Sequence, residues 1–365
     1  MVPGWRRAGS RARLVLVSGL LVGALALPAP AAAGEPVFTT FHFELNDSCV
    51  WGEGPPDTQL TVRLKGANGS FQGKFKTTTN GNGEWSGCFW GDIDAGDQIS
   101  ATDGSTSRTF TARQLKFTID RVTDVVAGTS VPNDEVGFYI WDCNSTWNCQ
   151  FATERVRSTS GNGSFSTDFT GNYDIRGGDE VEVDWVSPQG DVQWRFLYAP
   201  QLGIWVGNNV AWGIGKPRQA AKVYLLDSNG TTQRAKFEDR ADAWDGEFES
   251  TFVRNGNAVD VEVGDWLVSN IASDAEFQVP NFNPSFNKAT DDVSFRCFKN
   301  QLFSMYVVDD NDSDSMYVTG HANSNGMVFV NTMSADGFNL QAGDVVDLDC
   351  LTKQGDYVEV TFEVP

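Results

Sequence analysis

Residues 141–150 read WDCNSTWNCQ, which places Trp141 just before, and Trp147 inside, a loop that Cys143 and Cys149 would close as a disulfide. A short disulfide leaves a loop little conformational freedom to lose on binding, and rigid indoles are good platforms for sugar rings or protein partners. Trp147, Trp141 and Asn144 of this loop are therefore the candidate ligand-binding residues. The plainer reading of Trp141 alone is a core position of the FYIW strand; Trp147 has no periodic partner and is expected to be exposed.

A second loop, VVDDNDSDSMY, carries Asp309, Asp310, Asp312 and Asp314. Alternate carboxylates on a loop are oxygen ligands of the kind calcium takes. Against an EF-hand, Ser315 follows Asp314 where Gly is needed, and His321 stands twelfth from Asp310 where Glu is needed. A solvated acidic loop is the simpler reading, with a calcium site as its alternative, and no other cofactor is called for. Catalytic signatures are absent: there is no G-x-S-x-G, no H-E-x-x-H and no complete phosphate-binding glycine loop, GIGKPR at Gly213 being a fragment. The two histidines are His42 and His321, and His42 lies in the alternating strand pattern FHFEL. With 48 acidic residues some carboxylate pair will always fall at a workable distance, so an acid pair for glycoside hydrolysis has no specificity here. No catalytic residue is assigned and the chain is expected not to be an enzyme.

The elements that hold these loops come after a leader. Residues 1–33 have arginines at 6, 7, 11 and 13, an apolar run from Leu14 to Leu27, and small residues ending Ala31-Ala32-Ala33, the order of a cleaved secretory signal peptide. Without the leader the chain keeps 23 basic against 48 acidic residues, a net charge of −25. Such a field repels nucleic acid and anionic membrane surfaces. No later apolar run is long enough to span a bilayer, so a secreted, extracellular product is expected.

Beyond the leader the chain repeats. DIDAGDQI from Asp92, DIRGGDEV from Asp174, DVEVGDWL from Asp260 and NLQAGDVV from Asn339 share one pattern, with Gly-Asp beginning at 96, 178, 264 and 343. The intervals of 82, 86 and 79 residues mark a duplicated unit. Gly-Asp is read as a turn at the mouth of a strand, Gly for its permissive backbone and Asp for a local side-chain to backbone hydrogen bond. Each copy opens on alternating apolar residues: VFTTFHFEL, LKFTIDRV, LGIWVGNNV and DVSFRCF. Asn82-Gly83, Asn162-Gly163, Asp245-Gly246 and Asn325-Gly326 supply tight turns before a further strand. Trp85, Trp185, Trp205 and Trp266 sit in alternating contexts and are expected in the core. The helix-like stretch RAKFEDRADAW has too few apolar residues to anchor a helix. The prediction is all-β: four tandem Greek-key β-sandwich modules at 37–112, 113–198, 199–280 and 281–365, with the Pro-bearing joint VPNFNPSFNKATDD the loosest.

The six cysteines sort by copy, Cys49 with Cys88, Cys143 with Cys149 and Cys297 with Cys350, and tandem beads favour pairing inside a bead. The ordered set V-x-G-x-x-x-P-[N/D], strand, [N/D]-G-x-aromatic and D-I-x-x-G-D-x-V resembles the tandem immunoglobulin-like modules of secreted or cell-surface bacterial proteins. That resemblance implies an adhesive or ligand-presenting setting and brings no catalytic residues. The functional expectation is a non-enzymatic binding or adhesion protein whose partner is carbohydrate or an extracellular protein surface. Its rivals are a spacer or matrix component with no dedicated ligand, and a hydrolase with a site at a module interface.

Overall fold

The computed structural model describes residues 40–143, 149–309, 315–331 and 338–365, which form thirty strands and, among the described residues, no helix. Residues 1–39, which include the expected leader, lie outside them. The first copy supplies β1 (Thr40–Glu44), β2 (Cys49–Glu53), β3 (Gln59–Lys65), β4 (Phe71–Thr78), β5 (Glu84–Cys88), β6 (Gln98–Thr102) and β7 (Ser107–Thr111). The second supplies β8 (Lys116–Asp120), β9 (Val125–Thr129), β10 (Glu135–Cys143), β11 (Cys149–Ser158), β12 (Ser164–Asp168), β13 (Glu180–Val186) and β14 (Val192–Tyr198). The third runs through β15 (Gln201–Trp205), β16 (Val210–Ile214), β17 (Ala220–Leu226), β18 (Gln233–Arg240), β19 (Glu247–Thr251), β20 (Val253–Arg254), β21 (Asn257–Ala258), β22 (Trp266–Ser269) and β23 (Glu276–Gln278). The last holds β24 (Ser285–Asn287), β25 (Asp292–Arg296), β26 (Leu302–Val308), β27 (Ser315–His321), β28 (Met327–Val330), β29 (Val345–Leu351) and β30 (Tyr357–Glu363).

In each stretch three strands pair as one sheet against a sheet built on four, as in β12-β9-β8 against β11-β10-β13-β14. This is an immunoglobulin-like sandwich, its inner positions set by the alternation of Val136, Phe138 and Ile140 with outward residues along β10. Two sheets continue across copies. β14 pairs in parallel with β1, Glu44 opposite Trp194, and β30 pairs in parallel with β15, Trp205 opposite Glu359. The results are seven-stranded sheets ordered β11-β10-β13-β14-β1-β2-β5 and β19-β16-β15-β30-β29-β26-β27. Buried residues accordingly gather in two clusters, one from Phe41 to Ala199 and one from Leu202 to Val364. Each cluster thus draws on two copies. The physical reason is edge satisfaction: a last strand and a first strand each present unpaired backbone groups, and joining them covers both. Buried Asp191 strengthens the first junction, accepting from Phe41 N–H at 2.9 Å and from Arg108 at 2.7 Å.

The Gly-Asp turn has one geometry at all four places. Gly96, Gly178, Gly264 and Gly343 have φ of 97°, 86°, 90° and 97°, the left-handed region that favours glycine. Their N–H groups donate to the carbonyls of Ala112, Ala199, Val279 and Val364, just past the last strand. The aspartates Asp97, Asp179, Asp265 and Asp344 are buried and accept from the backbone N–H three residues earlier, at 3.1, 2.8, 2.8 and 2.7 Å. Ile93, Ile175, Val261 and Leu340 plug the core beneath.

A second recurring device is a glycine on the second strand of a copy facing an aromatic on the fifth. Gly52 lies opposite Trp85, Gly128 opposite Phe165 and Gly213 opposite Phe248. A Cβ at these glycines would stand 2.2, 2.1 and 2.4 Å from a first-strand carbonyl oxygen, so the ring takes the space a side chain cannot. In the fourth stretch the pair is exchanged, Phe295 facing Val328. This corrects the reading of DVSFRCF as a first strand: β25 is the second strand, and β24, inside the supposed linker, is the first. The linker is packed as well, with Val279 and Phe282 buried and Phe282 O accepting from Arg296 N–H at 2.7 Å.

Arg121 ties the halves together. Its side chain is 1% exposed and makes a two-pronged pair with Asp356 at 2.9 Å on both oxygens. It also reaches Asp274 at 2.9 Å and the carbonyls of Pro200 and Gln354 at 2.8 and 3.1 Å. Asp356 accepts in addition from Leu202 N–H at 2.9 Å.

Candidate functional site

The root of the Cys143–Cys149 loop lies on the rim of a cavity of about 110 Å³. Asp142, Cys143 and Arg176 line one side, and Asn300, Gln301 and His321 line the other, so the second and fourth stretches build it jointly. The volume suits several waters or one edge of a sugar ring. Asp142 and Arg176 pair at 2.9 Å while both stay more than a third exposed, a surface contact that leaves both groups open to further hydrogen bonds. Asp179 lies beneath, its carboxyl pushed up to about 7 mainly by burial. It accepts from Tyr173 hydroxyl at 3.1 Å and Arg176 N–H at 2.8 Å, and it is one of the four turn aspartates. A buried acid seated identically in every copy positions a turn, so its raised pKa marks a structural role. The groove offers hydrogen-bonding groups of both polarities.

Of the residues singled out in the sequence, Trp147 and Asn144 lie outside the described residues, as do Asp310, Asp312 and Asp314; Asp309 ends the described part of its loop, after β26. Trp141 is on the outward face of β10, with Phe138 and Ile140 inside, and its ring meets Phe151 edge-on at 5.5 Å. The disulfides are Cys49–Cys88, Cys143–Cys149 and Cys297–Cys350, at separations of 39, 6 and 53 residues. Cys297 follows β25 and Cys350 lies in β29, so the third links the two sheets of its sandwich. Cys143, Cys149 and Glu180 bring potential metal ligands together, but the two sulfurs are bonded to each other and offer no thiolate. Trp85 and Trp185 are core; Trp205 and Trp266 are only partly buried. The correction for Trp205 follows from phase: Leu202 and Ile204 take the inner positions of β15, and the indole lies outside, donating to Glu359.

Outside the groove, the outward face of the first seven-stranded sheet carries acids between rows of rings. Glu180, Glu182 and Asp184 alternate with buried Val181, Val183 and Trp185 along β13. Opposite them are Trp141, Tyr139 and Gly137 on β10, and Tyr198, Phe196 and Trp194 on β14. Glu44 lies beside Trp194, and Trp194 packs on Trp51 at 4.8 Å. Burial raises Glu44 to about 8 and Glu182 to about 7, neighbouring acids adding to both. The alternation EVEVDWV was visible in the sequence, but nothing local distinguishes such a row from an ordinary solvated face.

No family model matches the chain, and no curated protein matches it. Solved structures with a similar trace include a tetra-tandem repeat from the extending region of a large adhesion protein (14% identity, 89% of this chain and 99% of that one, TM-score 0.19). A 1.5-MDa bacterial ice-binding adhesin gives 11% identity over 88% and 92%, with TM-score 0.16. The FN1–FN3 domains of chicken CNTN1 give 9% identity over 90% and 98%, with TM-score 0.18. Scores this low carry no functional argument, which rests on the residues themselves.

Proposed function

We propose that the chain is a secreted, non-enzymatic binding protein of the adhesion type, and that it attaches to carbohydrate through the Cys143–Cys149 loop and the groove at its root. The observation that carries this reading is the polar groove shared by Asp142, Arg176, Asn300, Gln301 and His321. Sugar hydroxyls need donors and acceptors side by side, and an indole stacks on the ring they fringe. Trp141 stands on the sheet leading into the loop, and Trp147 and Asn144 are proposed as its ligand contacts. Three disulfides suit an oxidising, extracellular setting. The four-module reading, with boundaries at 37–112, 113–198, 199–280 and 281–365, belongs to the same proposal and is supported by the recurrence of the Gly-Asp turn. A calcium site at Asp309, Asp310, Asp312 and Asp314 would be accessory to attachment.

The test is a glycan array with the purified chain lacking the leader, followed by Trp147→Ala and Gln301→Ala on any hit. Trp147→Ala should weaken binding by about 2 kcal/mol or more, the hot-spot range, at unchanged melting temperature. A spacer predicts no glycan hit, and either that outcome or a hit indifferent to both substitutions ends the reading.

A further inference from the structure

The two seven-stranded sheets share one outward plan and differ in how their acids are satisfied. On the second sheet Trp205 donates to Glu359, Ser304 donates to Asp349 at 2.6 Å, and Thr361 donates to Asp347 at 2.7 Å. On the first sheet those hydroxyls have no counterpart: Gly137 faces Asp184 where Ser304 faces Asp349, and Phe196 faces Glu182 where Thr361 faces Asp347. The consequence is visible in single atoms, since Glu44 Oε1 and Trp141 Nε1 are both buried without a hydrogen-bond partner. Acids surrounded by rings and by one another are poorly solvated, and the charge of Arg195 favours the ionised form of Glu44 without offsetting its burial.

We propose that this face, Glu44 and Glu182 flanked by Tyr139, Trp141, Trp194 and Phe196, is a docking surface for an extended lysine-bearing segment of a partner protein. Charge complementarity selects a cation, because the chain is strongly acidic and Glu44, Glu180, Glu182 and Asp184 lie together on one face, where a bound cation would favour their ionised forms. The flanking rings select an organic cation: aromatic faces attract ammonium groups, and lysine stems bury methylenes along them. A divalent metal fits poorly, since acids on alternate residues of a strand stand roughly 7 Å apart and cannot converge on one ion. Along β13 that same spacing, from Glu180 to Glu182 to Asp184, matches alternate side chains of an extended peptide, and Glu44 extends the acidic patch across β14 to β1. Asp184 already accepts from Gly137 N–H at 2.8 Å and Glu180 has an interaction of its own, which leaves Glu44 and Glu182 as the principal acceptors. This inference does not depend on the carbohydrate reading, whose groove uses other residues.

The experiment is calorimetric titration of the chain with a synthetic peptide bearing lysine at alternate positions, and with its acetyl-lysine counterpart. Glu44→Gln and Glu182→Gln should each weaken binding of the lysine peptide about tenfold or more. Glu276→Gln, on exposed β23 away from this face, should leave it unchanged, and the acetylated peptide should not bind. Circular dichroism melting confirms that the isosteric variants fold. Equal losses in all three variants would reduce the effect to net charge and overturn the proposal. Binding of the acetylated peptide, or of a neutral oligosaccharide displaced by it, would replace the cation site with an apolar one. Absence of lysine-peptide binding would also overturn it.

Discussion

Arg121→Ala is expected to be among the most costly single substitutions in the chain. The guanidinium and Asp356 are both 1% exposed, and the pair shares two hydrogen bonds of 2.9 Å. Removing the arginine leaves Asp356 buried with Leu202 N–H as a remaining donor, and it strands the carbonyls of Pro200 and Gln354. Breaking one side of a buried pair costs about 3–5 kcal/mol, because an uncompensated charge stays behind. Burial already raises the Asp356 carboxyl, with the guanidinium opposing it. Without Arg121 the pKa rises further, so Asp356 in the variant is neutral when folded and ionised when unfolded over a wider range. The deficit must therefore grow as pH rises and shrink on acidification. Replacing both partners, Arg121→Met with Asp356→Leu, should recover at least half the loss, since no orphan charge remains. Urea unfolding supplies the free energies, and hydrogen exchange at Leu202 N–H reports the clasp directly. Equal costs for the single and double variants, or a deficit independent of pH, would refute the reasoning.

Further outcomes concern stability elsewhere. Glu44 and Glu359 are raised to about 8 and Glu182 to about 7, chiefly by burial. A carboxyl with a folded pKa above its unfolded value of about 4.3 lends stability at low pH and loses it as pH rises through the folded pKa. Unfolding free energy should thus fall between about pH 5 and pH 9, and Glu44→Gln should flatten the fall; an unchanged profile counts against the desolvation account. Loss of Cys297–Cys350, which joins two sheets across 53 residues, should cost about 2–5 kcal/mol by denaturant titration, and loss of Cys143–Cys149, across 6 residues, distinctly less. Gly213→Ala should cost more than a usual surface change, since its Cβ meets Gln201 O at 2.4 Å and Phe248 at 2.5 Å. A thermal midpoint within a degree or so of the parent would remove the close-approach explanation.

What the sequence made legible was local. The Gly-Asp turns were readable because the requirement for a left-handed glycine and a self-bonding aspartate acts within a few residues and recurs in four copies. Register was less so. In LGIW and FYIW both faces of the strand are apolar or small, so alternation fixes a phase without saying which phase is inside. Leu202 and Ile204 went inward and Trp205 outward, and likewise Phe138 and Ile140 inward with Trp141 outward. The identity of β25 was hidden by a compensated exchange: Phe295 stands where the other copies have glycine, and Val328 where they have an aromatic. Each change alone looks like a departure, and the pair restores the same filled space.

The fused sheets could not be read at all, because the pairing of β1 with β14 joins segments about 150 residues apart and leaves no periodic trace. Yet that junction determines what the outward face can do. It sets Glu44 of β1 beside Trp194 of β14, and on the second sheet Trp205 of β15 beside Glu359 of β30, the same two residue types exchanged across the same boundary. In the second case the indole donates to the carboxylate and the pair is closed; in the first, Glu44 Oε1 is left without a donor. A repeated architecture thus carries one self-satisfied copy of the arrangement and one open copy. The open copy is where an external cation has most to gain, because its charge would favour the ionised form of a carboxyl that lacks the internal donor of the second sheet.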